Sequence, residues 1–169
     1  LDEDILKNSL IIVSSYSGNT EEVLSTFDKA LARGLNVASI ATGGKLIEKA
    51  KEAGVPYIII PNTGIQPRSA LGFSMIALMK LISMEEELPL IGKLTTVLDP
   101  NKFEDDGKNI ANQIKDHVPI IYSSSRNEPI AYNWKIKFNE TGKIPSFNNV
   151  VPELNHNEMT GFDIRESSR

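Results

Sequence analysis

The chain contains no cysteine, so neither a disulfide framework nor a thiolate metal site is open to it. A cytoplasmic home is the expectation compatible with that absence. Histidine is scarce, with 2 in the chain, so any imidazole chemistry near neutral pH rests on His117 or His156. Excess positive charge is missing too. The formal net charge is -4, which offers no basic field to a nucleic acid. Long hydrophobic runs are lacking. Stretches such as Leu71 to Ile82 are too short and too interrupted to span a bilayer, and the N-terminus does not read as a signal peptide. Neither a membrane nor a nucleic acid is therefore an expected partner. What remains is ordinary globular composition, 40% hydrophobic and 24% charged over 169 residues, enough for one sizeable domain or two small ones. The sequence opens at Leu1 rather than at methionine, with an acidic, helix-like Asp2-Glu3-Asp4, as a trimmed or partial chain would.

Apolar patterning predicts alternating strands and helices in the first half. Leu10 to Val13 reads as a buried strand. Glu21 to Arg33 reads as a helix with Val23, Leu24, Phe27, Ala30 and Leu31 on one face, stopped by Gly34. Val37 to Ala41 and Tyr57 to Ile60 read as strands, Leu46 to Ala53 as a helix closed by Gly54, and Arg68 to Met84 as a long apolar helix. Such alternation predicts an α/β fold, a parallel sheet flanked by helices, with ligands at the carboxyl ends of the strands. Glu85 to Glu87 reads as a solvated face, and Leu88 to Leu98 has no clear period and reads as a connection or partly helical linker. A polar-faced helix over Asn101 to Lys115 precedes a strand, Pro119 to Tyr122, a polar loop, Ser123 to Asn127, and a helix from about Pro129 to Asn139. The second half thus starts like the first. The expected organisation is two related α/β halves, residues 1–85 and 117–169, joined by a helix-bearing segment, 86–116.

The first strand leaves through Ser14-Ser15-Tyr16-Ser17-Gly18-Asn19-Thr20. Five hydroxyls, a glycine and an amide contribute little to a core. At a helix entrance, however, they add donors to the unpaired backbone N–H groups and to the positive end of the helix dipole. Ser15, Ser17, Gly18, Asn19 and Thr20 are the candidate ligands of an anion, phosphate above all. The loop lacks the lysine of a nucleotide P-loop, which argues against a nucleoside triphosphate. The competing reading makes Asn19 or Thr20 a helix cap and the serines turn formers.

Here the residues carry a family resemblance. SYSGNTEEVL resembles the phosphosugar-binding signature of the sugar isomerase, or SIS, domain. Thr42 to Gly72, with its GIQPR, and Pro119 to Phe162, with its FNE and PELNHNE, resemble the bifunctional phosphoglucose/phosphomannose isomerases. The first motif speaks only of phosphosugar binding; the later two are more specific to that family. The resemblance covers most of the chain. It implies an SIS-type fold, no cofactor and no metal. The implied activity interconverts glucose 6-phosphate, and mannose 6-phosphate, with fructose 6-phosphate.

Such an isomerisation moves a proton between C1 and C2 through an enediolate, and needs a base, a ring-opening proton shuttle and positive charge. The resemblance assigns these roles to Glu140, His156 and Arg68 respectively. By composition alone, Glu140 is an ordinary helix glutamate, His156 a cap or surface histidine, and Arg68 a first-turn surface arginine. Glu153, His156 and Glu158 together raise a metal site as a minor alternative. In the similar isomerases the histidine reaches into the partner subunit's active site, which implies a homodimer with shared sites. His117, Tyr132 and Trp134 read as structural, the last two as packing residues of the second half.

The family pattern also includes a glycine-rich stretch with its own strand upstream of SYSGNT, and a downstream segment bearing a lysine. Neither is in this sequence. The expectation is a central portion of such an enzyme, with an apolar sheet edge exposed and good folding only within a longer polypeptide. The rival class is a non-catalytic phosphosugar-binding SIS regulatory module, in which Glu140 and His156 would be dispensable.

Overall fold

A computed structural model describes residues 2–163. They fall into two compact units divided between Leu98 and Asp99.

In the first unit, a short helix α1 (Glu3–Lys7) precedes strand β1 (Leu10–Ser14), helix α2 (Glu21–Ala32), strand β2 (Asn36–Ala41), helix α3 (Gly44–Glu52) and strand β3 (Tyr57–Ile59). Helices α4 (Leu71–Leu81) and α5 (Leu88–Val97) follow. The strands form one parallel sheet in the order β1-β2-β3, with Val13 opposite Ser39 and Ile40 opposite Ile58. Side chains alternate across a strand, and β2 uses both faces. Val37 and Ala41 pack with Val13, with Phe27 and Ala30 of α2 and with Leu46, Ile47 and Ala50 of α3. Ile40 faces the other way, onto Ile60, Phe73 and Ala77 beneath α4. Burial of Phe27 and Leu46, 1% and 0% exposed, supplies about 2–3 kcal/mol each.

Two elements differ from the sequence reading. The helix expected over Arg68 to Met84 is shorter: a 3-10 turn at Pro67–Ser69 comes first, and α4 proper ends at Leu81. Leu88–Val97, where no period was legible, is helical as α5.

In the second unit, a 3-10 turn (Pro100–Phe103) leads into α6 (Glu104–Gln113). Strand β4 (Ile120–Ser124), helix α7 (Glu128–Lys137) and strand β5 (Phe147–Val151) make a parallel crossover unit. A five-residue helix α8 (Glu153–Asn157) follows β5. Ala131, Ser146 and Leu154 are buried. Tyr132 and Trp134, expected to pack inside, are instead 51% and 52% exposed on α7. No helix among the described residues is long and apolar enough to cross a membrane.

Candidate functional site

Because β1, β2 and β3 run parallel, the segments that leave them emerge at one edge of the first sheet. The hydroxyl loop follows β1 and is stitched to the turn that follows β2. Tyr16 O accepts from Thr42 N–H at 2.9 Å and from the Thr42 hydroxyl at 2.7 Å. Leu46 N–H donates to Gly18 O at 2.9 Å, and Lys45 N–H to Asn19 Oδ1 at 3.1 Å. Gly18 sits at φ +71°, and a Cβ there would lie 1.9 Å from Gly43 O. Its missing side chain is therefore explained by loop against loop, before any ligand is invoked.

Within the loop the hydroxyls divide. Ser15 is buried, and its Oγ accepts from Gly18 N–H at 3.1 Å and shares a hydrogen bond with Thr20 Oγ1 at 2.9 Å. Ser17 Oγ accepts from Asn19 N–H at 3.2 Å. Ser17, Asn19 and Thr20 are exposed. Thr20 has the extended backbone of an N-cap, yet its side chain makes no capping hydrogen bond. A threonine cap ordinarily closes one of the first-turn N–H groups. Here α2 begins without one, which leaves its amide end available to an anion.

Arg68 lies in the Pro67–Ser69 turn after β3, half-buried. Pro67 at the first turn position and the buried Ala70 fix the backbone on either side of it.

In the second unit, α7 ends in a π-helical turn, Phe138–Gly142, that contains Glu140. Such turns are rare and recur at functional sites. This one is closed by Lys143 at φ +57°, by the bond from Ile144 N–H to Phe138 O at 3.3 Å, and by that from Asn139 Nδ2 to Ile144 O at 3.0 Å. The sequence signals the end of the helix through Gly142 but not the widened turn. Glu140 is exposed within its own unit.

His156 is exposed in the short helix α8, rather than in the loop expected from sequence. Five residues cannot hold a helix alone. Leu154 anchors it, 2% exposed, and Glu158 just beyond it is gripped from two strands. Tyr122 OH of β4 donates to Glu158 Oε2 at 2.8 Å, and Asn149 Nδ2 of β5 donates to Glu158 Oε1. Tyr122 and Asn149 are register partners across the parallel pair. The bond from Asn149, then that from Tyr122, holds the Glu158 carboxyl below the ordinary glutamate range. The same bond, with some desolvation, pushes the Tyr122 phenol up. Glu153 is taken by Asn157 Nδ2 at 2.5 Å. The carboxylates that suggested a metal site are thus committed to amides and a phenol. Among the described residues no group of 3 or more His, Cys, Asp or Glu is arranged to hold a metal.

The crossover also separates Glu140 from His156. The Glu140 turn leads into the amino end of β5, where Ser146 Oγ donates to Pro119 O at 3.0 Å beside the start of β4. Helix α8 starts from the carboxyl end of β5. A strand of 5 residues lies between, roughly 15 Å. His117 is exposed, its Nδ1 2.8 Å from Lys115 O. Sequence reasoning had no means of finding the Tyr122–Glu158–Asn149 group, whose members lie up to 36 residues apart.

Comparison with known proteins bears on these motifs. Residues 103–169 match the family described as the bacterial phospho-glucose isomerase C-terminal SIS domain. The bifunctional phosphoglucose/phosphomannose isomerase of Caldicellulosiruptor bescii is 41% identical over 92% of this chain and 50% of its own length. That of Aquifex aeolicus is 36% identical over 92% of this chain and 48% of its own. The D-glucosamine-6-phosphate 4-epimerase of Sulfolobus acidocaldarius is 31% identical over 94% of this chain and 53% of its own. The chain therefore spans about half the length of the curated relatives it matches. A proposed phosphosugar isomerase of solved structure from Salmonella typhimurium superposes with a TM-score of 0.68 at 19% identity, covering 94% of this chain and 52% of that one, a likeness of fold.

Proposed function

We propose that this chain, whose residues 103–169 match the bacterial phospho-glucose isomerase C-terminal SIS domain and which is 36% and 41% identical to two bifunctional phosphoglucose/phosphomannose isomerases over about half their length, forms part of an aldose–ketose isomerase. Its substrates are glucose 6-phosphate, mannose 6-phosphate and fructose 6-phosphate. The observation that carries the reading is the hydroxyl loop opening onto an α2 that lacks a side-chain cap. A helix amide end with hydroxyls around it suits a phosphate dianion. Ser17, Asn19 and Thr20 offer their exposed groups to it, while Ser15 and Gly18 hold the loop in shape.

Glu140 takes the proton from C2 of the open-chain aldose and returns it to C1, as a proton passes from O2 to O1. The charge of Arg68 offsets the developing enediolate oxygen. His156 moves the ring-opening proton. Rotation about C2–C3 before reprotonation lets one base serve both epimers. The enzyme is a homodimer in which His156 serves the partner's site. The separation of Glu140 and His156 to opposite ends of β5 supports that arrangement.

The test is a coupled assay of fructose 6-phosphate formation from glucose 6-phosphate and from mannose 6-phosphate. It uses a polypeptide of the relatives' full length that carries this chain. Glu140→Gln should lower turnover of both sugars by at least about 10²-fold, as loss of a general base does, with sugar phosphate binding retained. Binding without turnover in the unmutated protein would instead leave a phosphosugar-sensing module. A second reading, epimerisation of an amino sugar phosphate at C4, is favoured by the 31% identity to the Sulfolobus acidocaldarius epimerase. It would appear as conversion of glucosamine 6-phosphate with no fructose 6-phosphate formed.

A further inference from the structure

Glu158 occupies a place that neither the core nor the proposed chemistry explains. It lies immediately beyond α8, at the C-cap position, with its N–H donating back to Leu154 O at 2.9 Å. Its side chain reaches over the sheet. One carboxylate oxygen takes the Tyr122 phenol at 2.8 Å, the other the Asn149 amide. Asn149 is itself fixed, because its Oδ1 accepts from Val150 N–H at 2.8 Å. One carboxylate thus spans both strands of the pair and ends on the helix that carries His156. Burial contributes only at Leu154, since the other side chains of α8 are exposed.

We propose that Tyr122, Asn149 and Glu158 form a positioning clamp that sets the orientation of α8 and, through it, of His156. The inference rests on the reading of His156 as the ring-opening residue. Tyr122 and Asn149 each bond Glu158, and none of the three is assigned a part in the proton transfer. A five-residue helix with one buried anchor can pivot about that anchor, and a second fixed point on its far end removes the freedom. Two charge-assisted bonds to adjacent strands provide that point with defined direction, which a hydrophobic contact would not. Misplacing a proton-transfer group by an ångström costs up to about 10²-fold in rate, so orientation of this kind is visible in kcat.

The experiment uses the full-length polypeptide and compares Tyr122→Phe, Glu158→Ala, Glu158→Gln and His156→Ala. Tyr122 is 38% exposed, so its replacement by Phe leaves packing unchanged. Tyr122→Phe and Glu158→Ala should each lower kcat about tenfold, in line with a partial misplacement. KM for the sugar phosphate and the melting temperature should stay close to the parent's. Glu158→Gln keeps both contacts, accepting from Asn149 and donating to the phenol oxygen, and should retain most of kcat. In a His156→Ala background, Tyr122→Phe should produce no further loss, because groups that act as a unit are not additive.

If Tyr122→Phe and Glu158→Ala leave kcat unchanged while His156→Ala abolishes it, the clamp is refuted and the role of His156 stands. Equal damage from Glu158→Gln and Glu158→Ala would also overturn it, by making the charge rather than the geometry the working part. Full activity in His156→Ala would remove the reading of His156 and the clamp with it.

Discussion

At Gly18 the backbone stands at φ +71°, and the carbonyl of Gly43 occupies the space where a Cβ would go, 1.9 Å away. Gly44 mirrors it, with Ser17 O at 2.5 Å from its notional Cβ. Neither neighbour is a flexible side chain that could swing aside, so an added methyl group must push two loops apart. Gly34 provides the contrast, at φ +66° with nothing within 4 Å. Gly34→Ala should cost only the left-handed penalty, about 1 kcal/mol. Gly18→Ala should cost about 3 kcal/mol, since overpacking is added to it. Urea denaturation of both variants checks the difference, and equal costs would mean that the loops are not held in contact. The sequence marked Gly18 as the residue that admits a ligand. It could not show the first tenant of that space, because Gly43 is 25 positions away and reaches the loop only through the pairing of β1 with β2.

Between β1 and α2 the chain had two readings, a capped helix or an anion cradle, and they differ in the duty of one hydroxyl. Thr20 Oγ1 meets Ser15 Oγ and leaves the helix uncapped. Thr20→Val keeps the shape and deletes that hydroxyl. It should raise KM for the sugar phosphate about tenfold, the worth of a hydrogen bond to a charged group. The stability loss should stay below about 1 kcal/mol, the usual cost of a lost cap. A fall in melting temperature with KM unchanged would return Thr20 to the role of a cap. Helices α2 and α3 were legible because each buries one face and so carries a period, whereas β2, buried on both faces, was legible as a short apolar run. Other elements that lack a one-sided burial pattern were harder to read. Helix α5 is interrupted by Pro89 and Gly92, α8 is too short to show a period, and the π turn at Glu140 depends on the Phe138 to Ile144 bond rather than on any local signal. Tyr132 and Trp134 read as packing residues by their aromatic character, whereas α7 presents both outward.

On the scale of the whole molecule, two features ask for more chain than one copy of these residues. Strand β1 stands at the edge of its sheet. Beside it Leu71 and Leu78 of α4 are 61% and 40% exposed around a groove lined by Ile12, Ile40 and Met75. An edge strand next to an open apolar surface invites pairing. The second feature is chemical. Glu140 and His156 leave opposite ends of β5, roughly 15 Å apart along the strand direction, a separation that sets them apart around one bound sugar. If two copies related by a twofold axis exchange their histidines, each site joins Glu140 of one with the histidine of the other. The consequence is arithmetic. A Glu140→Gln homodimer and a His156→Ala homodimer are both inactive. In a mixed dimer, one site carries both lesions and the other carries none. Co-expression at equal amounts makes half of the dimers mixed, each with one intact site, so activity should recover to roughly a quarter of the unmutated level. Were both groups supplied by one subunit, every site in the mixture would carry one lesion and no activity would return. The fraction regained on co-expression, with tagged subunits to count the mixed dimers, therefore decides between a shared site and two independent ones.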